Sequence, residues 1–241
     1  RPEDKPAVPA ELDWDLFTGP APMRPYHPAY HPFTWRGWLD YGTGALGDIG
    51  CHSFDPVFRA LKLKYPDTVQ AVSTLVNGDS YPLGSMVRYE FPARESMPPV
   101  TLTWYDGGLR PFIFSDLEPG LKLGSGGTLY IGDKGKILDD KILPASLRDS
   151  YKRPDPHIPS SPGHEEEWIL ACKGGAAGGS DFSWAGPLTE TVLLGNVAIR
   201  MELKEKLGGT VLKWDPEKFS FPDMPEADKF LHTEYRKGWS L

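Results

Sequence analysis

Cysteine is scarce in this sequence. Cys51 and Cys172 are the two among 241 residues, and no Cys-x-x-Cys pair occurs. Both sit in apolar, helical-looking stretches and read as buried thiols, which leaves the redox compartment undecided. A chain of this length can bury a substantial core without covalent staples. Basic clusters are missing too. Net charge is −7 and no run of lysine or arginine stands out, so the electrostatic footprint of a nucleic-acid binder is lacking. No apolar run approaches the ~18 residues a membrane span requires, and no membrane partner is expected. The Gly-x-Ser-x-Gly of a serine nucleophile does not occur. Arg1 stands first with neither a basic n-region nor an apolar h-region after it, which points to a processed or excised piece of a longer protein.

Proline is plentiful. From Arg1 to Thr34 it recurs at positions 2, 6, 9, 20, 22, 25, 28 and 32, each time fixing φ and removing a backbone donor. Residues 1–34 therefore read as an extended arm pinned by Trp14, Phe17, Tyr26, Tyr30 and Phe33, and residues 35–241 as a single α+β domain. A helix is expected from Gly44 to Leu63, with a kink or restart at Asp55-Pro56. Strand chemistry follows at Thr68 to Asn77, Gly84 to Phe91, Val100 to Tyr105, Thr128 to Ile131 and Lys136 to Leu138. Short turns between consecutive strands favour an antiparallel sheet. Asp106 to Gly127 and Pro144 to Gly163 read as long loops. His164 to Lys173 reads as a short helix with an acidic first turn. A core helix is expected from Pro187 to Lys206, with Leu188, Val192, Ile199 and Leu203 as its stripe and Gly208-Gly209 as its stop. A last strand is expected over Thr210 to Trp214.

The most conspicuous pattern is Gly42-x-Gly44-x-x-Gly47. A dinucleotide loop with this spacing must follow a buried strand and open a helix. Thr34 to Tyr41 (TWRGWLDY) makes a poor buried strand, so the cofactor reading is set aside and the glycines are taken to allow close approach of a ligand or another domain. The residues after them carry more chemistry. Asp48 and His52 are four apart and share a helix face, with Asp55 a further turn along. A carboxylate beside an imidazole fixes its tautomer and raises its basicity, which is how a general base for a hydroxyl proton is built. The plainer alternative is a buried, hydrogen-bonded histidine near a kink.

Around this pair, Trp35, Trp38, Tyr41 and Trp104 could supply a sugar-stacking platform or simply anchor the core. Trp35 and Arg36 are favoured as substrate contacts because they adjoin the Asp48/His52 element, and Arg36 brings a planar, multi-donor grip. Asp40, Tyr41 and His164 complete the expected substrate-binding set. His27 and His31 cannot form a helical i,i+4 metal pair because Pro28 and Pro32 follow them, so no metal is assigned. A paired-carboxylate glycosidase built on Asp40, Asp48 or Asp55 depends on a separation that sequence does not supply.

The string WRGWLDYGTGALGDIGCHSFD resembles the start of the C-terminal domain of Gfo/Idh/MocA oxidoreductases, the family of glucose-fructose oxidoreductase and inositol dehydrogenase. Gly44, Asp48 and His52 fit its Gly-x-x-x-Asp-x-x-x-His-like element, and HEEEWILACKGG, AGPLTETVLLGNVAIRM, LKWDPEKFSF and EYRKGW follow in order. The resemblance implies an open, mostly antiparallel sheet with helices on one face, the other face serving homo-oligomerisation. It also implies a sugar or polyol substrate, His52 and Asp48 as catalytic residues, and NAD or NADP in the intact enzyme. The family's Rossmann domain and its Glu-Lys-Pro lysine have no counterpart in this sequence, so no nucleotide is expected on this chain alone. A free-standing carbohydrate-binding or glycoside-hydrolysing module using the same pocket is the alternative, and a scaffold that only assembles subunits is a third.

Overall fold

The structure is a computed structural model. It describes all residues except 76, 113–116, 119, 120, 122, 157, 206–208 and 241, with backbone alone at 202–205. The chain divides into two compact units, one formed by Arg1–Arg110 with Pro187–Leu241 and the other by Pro111–Gly186.

The first unit contains the short helix α1 (Trp14–Thr18) and the long helix α2 (Gly44–Leu61), followed by β1 (Thr68–Ser73), β2 (Ser85–Phe91) and β3 (Val100–Tyr105). Strand β7 (Val211–Lys213), from the far end of the chain, pairs antiparallel with β1, giving the order β3-β2-β1-β7. All pairings are antiparallel, with Val69 opposite both Tyr89 and Leu212. The period-2 pattern of β2 is complete: Ser85, Val87, Tyr89 and Phe91 are buried, while the residues between them are not.

Helix α2 supplies one layer against that sheet. Leu46, Gly50, Phe54, Val57 and Phe58 are buried, a spacing of three and four that gathers them on one side. Asp48, His52, Asp55 and Arg59 share the opposite side. Phe54 meets Tyr89 edge-on at 5.7 Å and Phe58 meets Phe91 at 5.8 Å. Lys62 adopts φ 50° and its N–H closes back on the last turn, ending the helix. Pro56 lies inside α2, where the sequence reads as a kink or restart. A proline tolerated there removes the donor for the His52 carbonyl four residues earlier.

The helix expected from Pro187 starts earlier, as α5 (Phe182–Glu205), with Pro187 in its interior. Leu188, Val192 and Ile199 are buried as expected. The expected Leu203 contact, Lys206 and Gly208 lie outside the described residues. Gly195 is a point of close approach, since a Cβ there would sit 2.2 Å from Tyr89 Oη on the sheet and 2.6 Å from Leu46 Cδ2 on α2. Burying each large core side chain here contributes roughly 1.5–3 kcal/mol.

The second unit carries a three-stranded antiparallel sheet, β4 (Leu129–Ile131), β5 (Lys136–Leu138) and β6 (Lys141–Leu143), then α3 (Ala145–Ser150) and α4 (His164–Cys172). Strand β6 and helix α3 were not foreseen, and α3 lies at the start of an expected loop. The α+β class with open antiparallel sheets agrees with the sequence reading. Cys172 corrects it: the thiol expected to be buried is exposed, and Cys51 is only partly covered. No described helix is long and apolar enough to cross a membrane.

Candidate functional site

The three glycines of the Gly-x-Gly-x-x-Gly pattern are fully accounted for by the chain's own packing. A Cβ on Gly42 would lie 2.3 Å from the Arg36 carbonyl oxygen, one on Gly44 2.6 Å from the Tyr81 ring, and one on Gly47 2.1 Å from Thr43 Oγ1. Gly44 also takes φ +65°, a conformation costly for any side chain. The element before them is a 3-10 turn over Thr34–Gly37, not a strand. The pattern thus lacks the buried strand that a dinucleotide loop must follow, and the room left by its missing side chains is taken by the chain's own atoms. The glycines admit neighbouring chain, not the ligand or second domain expected of them. Gly42 in particular lets the Arg36 backbone lie directly beside the entry to α2.

That close approach places Arg36 over α2. Its Nε donates to Asp48 Oδ1 at 3.0 Å and its Nη1 to the Phe33 carbonyl at 3.2 Å. The guanidinium stacks 4.0 Å from the Phe33 ring centre and 5.3 Å from that of Trp35, an arrangement favoured by the negative ring face. Phe33 had been read as an anchor of the arm. It is 66% exposed and serves instead as a plate under Arg36. Asp48 finds its hydrogen bond with Arg36, whereas the sequence reading gave it to His52. His52 itself is exposed, one turn further along α2, and no described side chain pairs with its ring. The accessible side of α2 thus presents an imidazole, a carboxylate, a guanidinium and two aromatic faces.

Other expected members fall elsewhere. Asp40 accepts from Arg24 Nε at 2.9 Å and from Arg1 Nη2 at 2.6 Å. It ties the amino-terminal segment down. Arg1 Nε also donates to Asp79. Despite partial desolvation, Tyr30, Asp79 and Asp40 together hold the Arg1 guanidinium still more firmly protonated. Tyr41 belongs to an aromatic cluster with Trp14, Phe17 and Tyr30. Its hydroxyl is buried without a partner among the described residues. Burial first, then the Asp40 charge, pushes its pKa up to about 12.

Trp38 donates Nε1 to the Ala29 carbonyl at 2.8 Å, and Trp104 donates to Asp106 at 2.8 Å. Both are anchors, which leaves Trp35, of the four aromatics expected there, beside the polar groups together with Phe33. His164 opens α4 in the second unit and is exposed. His27 accepts the Ala29 N–H on Nδ1 and lies 3.3 Å from Asp4 through Nε2. Among the described residues no cluster of three or more metal-ligating side chains forms.

Two contributors were beyond the sequence reading. Asn196, on α5 and 5% exposed, donates to the Thr43 carbonyl at 2.7 Å and fixes the start of α2 from 153 residues away. The turn at residues 77–81 holds the other flank: Leu39 N–H bonds the Asp79 carbonyl and Tyr81 N–H the Gly37 carbonyl, both at 2.9 Å. Neither long-range pairing leaves a local signature.

No curated protein matches the chain. Within it, the segment that builds this site, residues 3–81, matches the C-terminal alpha/beta domain of the Gfo/Idh/MocA oxidoreductase family.

Proposed function

We propose that this chain is the substrate-binding and catalytic-base domain of an NAD(P)-dependent oxidoreductase acting on a sugar or polyol. The observation that carries the reading is the exposed His52 one helical turn from Asp48 within the family-matched segment. An accessible neutral imidazole can take a hydroxyl proton, and the step is worth roughly 10²–10⁴-fold in rate when the base is well placed. Asp48 supports the imidazolium once its Arg36 bond is exchanged. Trp35 and Phe33 offer faces on which the C–H side of a sugar ring can stack. The nucleotide is held by a separate Rossmann domain, and the open side of the β3-β2-β1-β7 sheet is where copies of the protein meet.

Two measurements test this reading. In the enzyme combined with its nucleotide-binding domain, His52→Ala lowers turnover by at least about 100-fold, while near-normal turnover removes His52 from the chemistry. Calorimetry of this chain with NAD, NADP and a sugar panel separates the readings: tight sugar binding without any nucleotide supports a free-standing carbohydrate-binding module. Hydrolysis of a glycoside by the chain alone supports the glycosidase module instead.

A further inference from the structure

The Arg36–Asp48 pair has the form of an exchangeable contact. It is made through Nε alone, at 3.0 Å, between side chains that are 34% and 36% exposed, so solvent competes for it and it adds little to stability. The rest of the donor fork, Nη2 included, has no partner among the described residues beyond the Phe33 carbonyl. Phe33, 4.0 Å beneath the guanidinium, holds its plane. A stacked guanidinium with Nη2 unoccupied beside an exchangeable Nε contact can receive a carboxylate through two parallel hydrogen bonds from Nε and Nη2, a contact stronger than the single one Asp48 makes. Asp48 bonds Arg36 and shares its helix face with His52, which the helix sets about 6 Å further along its axis. A short hydroxylated chain can therefore place one end on Arg36 and a hydroxyl at His52.

Resting on the reading of this surface as a substrate site, we propose that Arg36 selects an anionic substrate, a polyhydroxylated carboxylate of the sugar-acid class, and that Asp48 is its internal placeholder. Substrate carboxylate displaces the Asp48 carboxylate from Arg36. The released Asp48 is then free to turn along its own helix face toward His52. Binding and the alignment of the base are thereby coupled, and a neutral sugar, which cannot compete for the guanidinium, leaves Asp48 where it is.

The test uses the whole chain with glucuronate and glucose as probes, read by calorimetry and by amide chemical shifts at low ionic strength. Glucuronate is expected to bind at least tenfold more tightly than glucose, with the difference shrinking as salt is added. Arg36→Gln, checked for folding by circular dichroism, removes the preference. Asp48→Asn keeps Arg36 but takes away the competing charge, and so tightens glucuronate severalfold without changing glucose. Equal affinity for the two probes, no measurable glucuronate binding, a preference that survives Arg36→Gln, or glucuronate binding unimproved in Asp48→Asn overturns the proposal. His52→Ala retains the preference, so a failed role for His52 in turnover and a failed role for Arg36 in selection give different results.

Discussion

At the scale of single residues, the tightest constraint is steric. Gly195 faces Tyr89 Oη across the helix–sheet contact, and a methyl there would lie well inside van der Waals distance. Gly195→Ala is expected to lower the unfolding free energy by roughly 1–3 kcal/mol, measured by urea denaturation. Because the clash is chiefly with the phenol oxygen, Tyr89→Phe in the same chain recovers part of the loss. Tyr41 behaves oppositely. Its buried hydroxyl has no described partner, so Tyr41→Phe leaves stability at pH 7 unchanged or raises it by up to about 1 kcal/mol. The same substitution alters the alkaline limb. The native phenol keeps its proton to about pH 12, while the unfolded one loses it near 10.0. The unfolded state then binds fewer protons, and stability falls as pH rises through this window. Tyr41→Phe makes that decline shallower in parallel denaturation curves taken between pH 9 and 12.

At the scale of elements, the sheet end nearest the β1–β2 connection depends on one carboxylate. Asp106 accepts from Ser85 N–H, from Ser85 Oγ at 2.9 Å and from Trp104 Nε1 at 2.8 Å. Ser85 is 1% exposed, so removing the acceptor strands buried donors. Asp106→Ala is expected to cost about 2–4 kcal/mol and to speed amide exchange at Ser85 before it affects β1. Helix α2 is the element most fully legible in advance, because buried and exposed residues alternate with helical spacing from Leu46 to Arg59. From the sequence, Asp55-Pro56 within it reads as a kink or restart. The helix continues because Phe54, Val57 and Phe58 are all buried against the sheet, and that packing outweighs one missing hydrogen bond.

At the scale of the whole molecule, the first unit is assembled from distant pieces of chain. Arg236 donates Nη2 to the Gly19 carbonyl at 2.8 Å and Nη1 to Asp15 at 2.7 Å, closing the carboxyl-terminal segment onto α1. Arg236→Ala removes every one of these bonds. It should make the segment after Phe230 the first site of limited proteolysis and cost about 1–2 kcal/mol in urea. Strand β7 joins β1 in the same way, with Leu212 opposite Val69.

What the sequence determined by itself was local. Alternation placed β2, and β3 runs over Val100–Tyr105 as read. Helical spacing set Asp48 and His52 on one side of α2. These patterns repeat within a few residues, so they survive without knowledge of the rest of the chain. Only the tertiary structure decided what each polar group meets. Asp48 pairs with Arg36, Asp40 with Arg1 and Arg24, and the Gly42 and Gly44 spaces are filled by Arg36 and Tyr81. The physical reason is reach. A hydrogen bond or a steric contact acts over a few ångströms in space, and nothing in the spacing of residues states which distant segment will occupy them.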